Sequence, residues 1–376
     1  MFRRMGHNAQ PAATWGKSPC TRASAVRLRA AALAVSARKR PYSPAWILGK
    51  PARMGPRRHT RLAALVIVAL AASVAFADAP FKRPHMHRPG RGHGCQINVG
   101  PVTVPRDTEL TECTYLKMPS TRDMAVHRVK IKVSGGSHHV HLYRPADPTM
   151  NLADGAETCN QALDFSVWQL VLATQDLFLD WKLPPGIAFR FRAGEQLAAQ
   201  THFVDNGLLR TPSGQGWAVF NLYSMPPRKV RSYAGALFGQ DRDVVVPAHA
   251  TSTATTRCLF PKPVKLLAIT GHYHYRGVRF TAATWDGTSG EQLYEQNGYL
   301  DPPFLRYSGT DAPEVKGLQW TCTYDNQTDQ TYKFGPFTDR NEHCNLFAFY
   351  YPTDTAEEFT TCVQKDGVVT TTVRGQ

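Results

Sequence analysis

The chain has 376 residues, 42% of them hydrophobic, and a formal net charge of +15. Such a charge would point to a nucleic-acid or anionic-surface partner, but residues 1–77 hold 14 of the 44 Lys and Arg and no Asp or Glu, so 30 basic residues face 29 acidic ones in the remainder. The rest of the chain is close to neutral, which argues against a nucleic-acid partner.

The leader explains the imbalance. Arg57, Arg58 and Arg61 precede the apolar run of "RLAALVIVALAASVAFADAP", and Ala75-Phe76-Ala77 forms a small-x-small cleavage signal. This pattern is that of a secretory signal peptide over 54–77, with a mature start near Asp78. An uncleaved anchor is the alternative, but the run is short for a membrane span, and no stable span is expected after cleavage. Because Met54 stands where a signal's basic region would begin, residues 1–53 are read as a misassigned or disordered extension. Either way the remainder is expected outside the cytoplasm, secreted or periplasmic.

Residues 78–94 contain "FKRPHMHRPGRGHG", rich in Pro, Gly, His and Arg, and are expected to be a flexible arm. From Val102 the pattern is mostly that of strands. In "VHRVKIKV", Val129, Ile131 and Val133 alternate with charged residues, as in a half-buried strand. "FRFRAG", "GWAVFNLYS", "KLLAITGHYHY", "VRFTAATW", "LQWTCTYDN" and "LFAFYY" continue the series between Gly, Pro, Asn and Asp signals. Only "CNQALDFSVWQLVLATQDL" has a weak helical pattern. The expected fold is all-β, two tandem antiparallel β-sandwich domains of jelly-roll type. "SMPPRKV", Ser224 to Val230, is the candidate linker, which gives domains at 95–228 and 229–376. Asn326-Gln327-Thr328 is a glycosylation sequon, meaningful only in a eukaryotic secretory pathway.

Cysteine usage fits an oxidising compartment. Setting Cys20 aside leaves seven, so at most three disulfides form and one thiol remains.

The histidines carry the chemistry. "GGSHHVHLY" supplies His138, His139 and His141; adjacent strand residues point to opposite faces, so His138 and His139 meet one ion only at a bulge or strand end, and regular geometry favours His139 with His141. His202 in "LAAQTHFV" is a lone histidine on an apolar strand, more often a satisfied core residue than a ligand. His272 and His274 in "TGHYHYRG" are two apart and emerge on one face. His343 in "NEHCNLFAFYY" precedes a cysteine and either packs or binds metal. Imidazoles suit copper, zinc, iron or nickel, and the spacing does not choose among them. No carboxylate lies in either cluster, which disfavours a two-His-one-carboxylate iron centre and leaves a zinc hydrolase without a base.

Taken in order, "GSHHVHLY", "LPPGIAFRFRAGEQLAAQTHF", "GHYHYRG", "WTCTYDN" and "NEHCNLFAFYYP" resemble the copper type II, ascorbate-dependent monooxygenases, the group that contains peptidylglycine α-hydroxylating and dopamine β-monooxygenase. The resemblance runs from about Cys113 to Cys362. It implies two coppers per chain, with ascorbate or another one-electron reductant as co-substrate. An electron-transfer ion would be held by His138, His139 and His202, overriding the strand-face preference for His141. An oxygen-binding ion would be held by His272, His274 and the residue at a methionine position, here His343. Imidazole in place of thioether shifts that ion toward Cu(II). Gln200 matches a glutamine of the region between the coppers. The implied disulfides are Cys113–Cys159, Cys258–Cys362 and Cys322–Cys344, with Cys95 left over. Peptide-amidating members grip a substrate carboxylate with an arginine, an asparagine and a tyrosine; Thr270, Asn345 and Phe347 stand there, so only Asn345 remains and the bidentate clamp is lost. The expected activity is hydroxylation of a C–H bond of a small organic substrate with O2, the substrate not being peptidylglycine. The alternatives are a non-catalytic copper-binding protein of the envelope and, more weakly, an adhesion module.

Overall fold

The computed structural model describes residues 85–375 apart from 160–163, 207–210 and 212–213. The extension at 1–53, the signal peptide at 54–77 and the start of the arm lie outside the described residues. All described secondary structure is strand apart from two single 3-10 turns, Pro227–Lys229 and Gly309–Asp311. No helix among the described residues is long and apolar enough to cross a membrane.

The N-terminal strands form two sheets. One runs Gly94–Thr103, Gln215–Met225, Met124–Val133, Ile187–Phe191 and Ser232–Tyr233, with Phe178–Lys182 also on Met124–Val133. The other runs Gly155–Thr158, Thr108–Lys117, Gln196–Asp205, Ser137–Pro145 and Trp168–Thr174. Val129, Ile131 and Val133 are buried between charged neighbours, as the alternation predicts. In contrast, Ser137–Pro145, Trp168–Thr174 and Gln196–Asp205 are buried at every position. A strand enclosed on both faces loses its alternation, and this is why the Cys159–Leu177 stretch reads as a weak helix in sequence although Trp168–Thr174 is a strand.

Val245–Val246 pairs with Tyr332–Lys333 in a separate small sheet, and nine other C-terminal strands make one large sheet. Its spine is Ala250–His272, whose first part pairs with Glu314–Asn326 and whose last part, Lys265–His272, pairs with Asn345–Tyr351. The register breaks between Leu259 and Val264. Pro261 and Pro263 lie in that break and cannot donate to the ladder. The strands on either side of the break share an apolar cluster that includes Phe280, Trp320, Tyr324, Leu346 and Tyr350. Trp320 fills this core and donates from its indole to Cys344 O at 3.2 Å.

The described residues belong to one compact unit. The apolar cluster of the N-terminal sheets continues without a break into Phe238, Leu267, Phe347, Phe349 and Phe359 of the C-terminal one. A buried ionic knot adds to the seam: Glu357 lies 3.2 Å from Arg144, 3.1 Å from Arg192 and 3.7 Å from Arg190.

Three disulfides join Cys113–Cys159, Cys258–Cys362 and Cys322–Cys344. Cys95 is not a leftover thiol. It is disulfide-bonded too, and no free cysteine occurs among the described residues. The described end of the arm is held rather than loose, since the carbonyls of Met86, His87 and His93 accept hydrogen bonds from Gln96, Asn221 and Ser224. The sequon is closed in the folded protein, because Asn326 is fully buried and its amide donates to Pro247 O at 2.8 Å and Gln330 O at 2.7 Å.

Replacing Trp320 with alanine is expected to cost about 3–5 kcal/mol. Urea unfolding of the purified protein measures it, and a cost below about 1 kcal/mol would mean that the C-terminal core is not packed around this ring.

Candidate metal centre

The N-terminal histidines stand at the middle of the second sheet. In Ser137–Pro145, Val140 and Leu142 enter the apolar cluster. His139 and His141 take the other face, their rings stacked 4.2 Å apart between centroids. His202, on Gln196–Asp205, is the cross-strand partner of His139, and its Nδ1 lies 3.3 Å from His139 Nε2. The register slips between Ser137 and His139, beside Gly136 at φ 80°. This irregularity is the condition under which adjacent side chains can face the same way. The His138 ring is 5.4 Å from His139 and 5.2 Å from His202, but only 4.7 Å from His272.

From the C-terminal half, His272 ends the long strand and His274 follows just beyond it, their rings 5.4 Å apart. His343 lies 4.2 Å from His274 and 5.4 Å from His272. The Tyr324 hydroxyl donates to His343 O at 2.7 Å, and the Cys322–Cys344 bridge anchors the next residue. All six sequence-predicted ligands, with His141 as a seventh, therefore form one continuous group of rings, where the resemblance implied two cradles. Gln200 lies against the Cys113–Cys159 disulfide, 4.0 Å and 3.9 Å from its sulfurs. Together with Asn345 it lines a cavity of about 30 Å³ among His139, His141, His202 and His343.

Burial sets the charge of this group. It pushes His138, His139, His272 and His274 well below the ordinary imidazole range, with their mutual repulsion adding to the effect. Burial likewise brings His141 and His343 down to about 3. All six are neutral near pH 7, the state in which imidazole binds metal.

Several residues with no signature in the sequence orient these rings. Gln175 reaches across from the N-terminal half: its Oε1 accepts from His272 Nδ1 at 2.8 Å, and its Nε2 donates to Gly271 O at 2.8 Å. Asn341 O is 3.2 Å from His274 Nδ1. Glu109 accepts from Thr338 N at 3.0 Å and from the Thr338 hydroxyl at 2.7 Å, and lies 3.3 Å from His202 Nε2. Burial pushes its carboxyl up, but His202 and the Thr338 hydrogen bonds outweigh that and hold it below the usual range. Glu342, raised to about 7 by burial despite Arg276, accepts from the backbone amides of His274 at 3.1 Å and Arg276 at 2.9 Å.

Four ring nitrogens, His138 Nε2, His139 Nδ1, His141 Nε2 and His343 Nδ1, are buried with no hydrogen-bond partner. Each such atom costs on the order of 1–3 kcal/mol. Several in one place, all imidazole and all neutral, fit a transition-metal ion, copper among the best.

Residues 234–371 match the family model described as copper type II ascorbate-dependent monooxygenase, C-terminal domain. These residues are similar to the C-terminal domain of that family. No curated protein matches the chain. Among solved structures it is similar to "STIV MCP" at 10% identity, over 68% of this chain and 96% of that one, with a TM-score of 0.25. It is also similar to PBCV-1 VP54 in the virophage Sputnik reconstruction at 9% identity, over 78% and 99%, with a TM-score of 0.22. Likenesses that faint carry no argument. The copper monooxygenase match spans His272, His274, His343 and two of the three described disulfides, whereas His138, His139 and His202 lie before it.

Gln175→Leu is expected to free the His272 ring and weaken copper binding about 10–100-fold, with Gln175→Glu, which keeps the acceptor, losing less. Competition against a chromophoric copper chelator reads both. Equal affinity in all three proteins would remove Gln175 from the site.

Proposed function

We propose that the chain is a dicopper monooxygenase that inserts one oxygen atom of O2 into a C–H bond of a small apolar organic substrate. The reading is carried by one observation: the buried, neutral, unpartnered imidazoles gather where the family-matched C-terminal strands meet the N-terminal sheet. His139 and His202 would contribute from the first domain, 95–228, and His272 and His274 from the second, 229–376, with His138 and His343 completing the two sets. Bound copper supplies one-electron redox chemistry and the means to reduce O2. The balance requires two electrons from ascorbate or another external reductant and two protons, giving the alcohol and one water.

The chain's own residues set the conditions. The seam keeps bulk water from the imidazoles, Gln175 and Asn341 fix which ring nitrogen faces inward, and Glu109 ties His202 to the loop that leads to His343. The rings that stand beside the histidines, and the cations that the cavity lining lacks, support this substrate class. The Phe347 ring stacks 4.6 Å from Phe238 and sits 4.9 Å from His141. Thr270 is buried, and no Lys or Arg lines the cavity among the described residues. A carboxylate would find no guanidinium there, so a peptide ending in glycine is a poor substrate. Export to an oxidising compartment accords with the three disulfides.

Purified protein given copper, ascorbate and O2 is expected to consume reductant in step with product on apolar C–H substrates, and not on glycine-extended peptides. A non-catalytic copper-binding role is the second reading, favoured by a cavity of about 30 Å³, enough for about two waters. It predicts two tightly bound coppers with no substrate-dependent oxygen uptake on any compound of the panel.

A further inference from the structure

The single group of rings raises a question that two separate cradles would not: which imidazoles share an ion. Among the described residues, His138, His272 and His274 are the trio whose donor atoms all lie within 4.8 Å of one another. All three are buried. Their hydrogen bonding leaves the same atom available on each. His272 Nδ1 is taken by Gln175 and His274 Nδ1 faces Asn341 O, so Nε2 remains on both; His138 Nε2 is buried without a partner. Three Nε2 donors, two of them on rings oriented through Nδ1 by Gln175 and Asn341, suit a trihistidine site. A metal–nitrogen distance of about 2.0 Å sets tetrahedral donors about 3.3 Å apart, which small ring rotations reach from the observed spacing.

His343 fits the same ion less well. Its ring overlaps His274 at 4.2 Å, but it belongs to no close trio of donor atoms with His272 and His274. His138 is better placed. The slip at Ser137/His139 frees it from strict alternation, and its ring stands between the two sets, 4.7 Å from His272 and 5.5 Å from His274 against 5.4 Å from His139 and 5.2 Å from His202.

We propose that His138, His272 and His274 form one copper site shared between the two halves, and that the first ion to bind occupies it. The inference rests on the copper reading above but reassigns His138 from the N-terminal set. His343 then stands beside the shared ion rather than completing it. A first ion so placed joins the Ser137–Pro145 strand to the Ala250–His272 strand, so that loading should tighten the seam.

The test titrates one equivalent of copper into the full chain and into His138→Ala, His272→Ala, His274→Ala and His343→Ala, with affinity read by chelator competition and folding by circular dichroism. Loss of a group that only orients a ligand costs up to about 100-fold, so each ligand variant of the shared site is expected to lose on the order of 100-fold for the first equivalent. His343→Ala should change it by less than about threefold. His138→Gln, close in shape, covers the case in which the alanine variant fails to fold. Anomalous scattering from crystals of the unaltered protein grown with one equivalent of copper locates the ion directly. First-equivalent affinity kept in His138→Ala and lost in His343→Ala, or a peak nearer His343 than His138, overturns the shared site while leaving the two-copper reading standing. Absence of any tight copper in the unaltered protein sinks both.

Discussion

The structure depends on dehydration of its centre. Three neighbouring strands of the second N-terminal sheet, Gln196–Asp205, Ser137–Pro145 and Trp168–Thr174, are buried at every position, and imidazoles cross the boundary between them and the C-terminal strands. Removing an imidazolium from water is costly, so the rings are held neutral. Neutral rings at close quarters do not repel, which permits His138, His139, His141, His272, His274 and His343 to stand together. Their lone pairs have few protein partners, which makes the cluster receptive to a cation. The apolar continuity from Phe220 and Leu142 through Phe238 to Phe347 is thus what gives the histidines their chemistry.

Much of this was legible in residue patterns, in proportion to how local each feature is. Alternation at Val129, Ile131 and Val133 marked a half-exposed strand, and the His-x-His spacing at His272 and His274 marked a shared face. The need for a bulge if His138 and His139 were to act together could also be stated from the pleat alone. What could not be read depends on pairs distant in the chain. Gln175 meets His272 across 97 positions and Glu109 meets Thr338 across 229. Neither residue carries a signature, because their roles arise only when two sheets meet. The stretch around Trp168 misled for the same reason, since burial on both faces erases the period that distinguishes a strand from a helix.

His343 shows how one side chain can be well placed and still differ from what the resemblance assigns to its position. Its backbone is fixed by Tyr324 and by the neighbouring disulfide, so the loop delivers whatever residue stands there to the same location. A thioether would add a long, flexible, soft donor; imidazole is shorter and rigid, and its ring instead overlaps His274. The contacts that hold the loop are made by the backbone and the disulfide rather than by the donor it presents, and His343 Nδ1 is left without a partner.

The irregularity at His138 also binds the histidine face to the core behind it. The strand carries Val140 and Leu142 on one side and His139 and His141 on the other, so a one-residue shift arising at the Ser134–Gly136 tip would drive imidazoles into the apolar cluster and aliphatic side chains out among the rings. A surface turn is thus as intolerant of insertion or deletion as the interior it feeds.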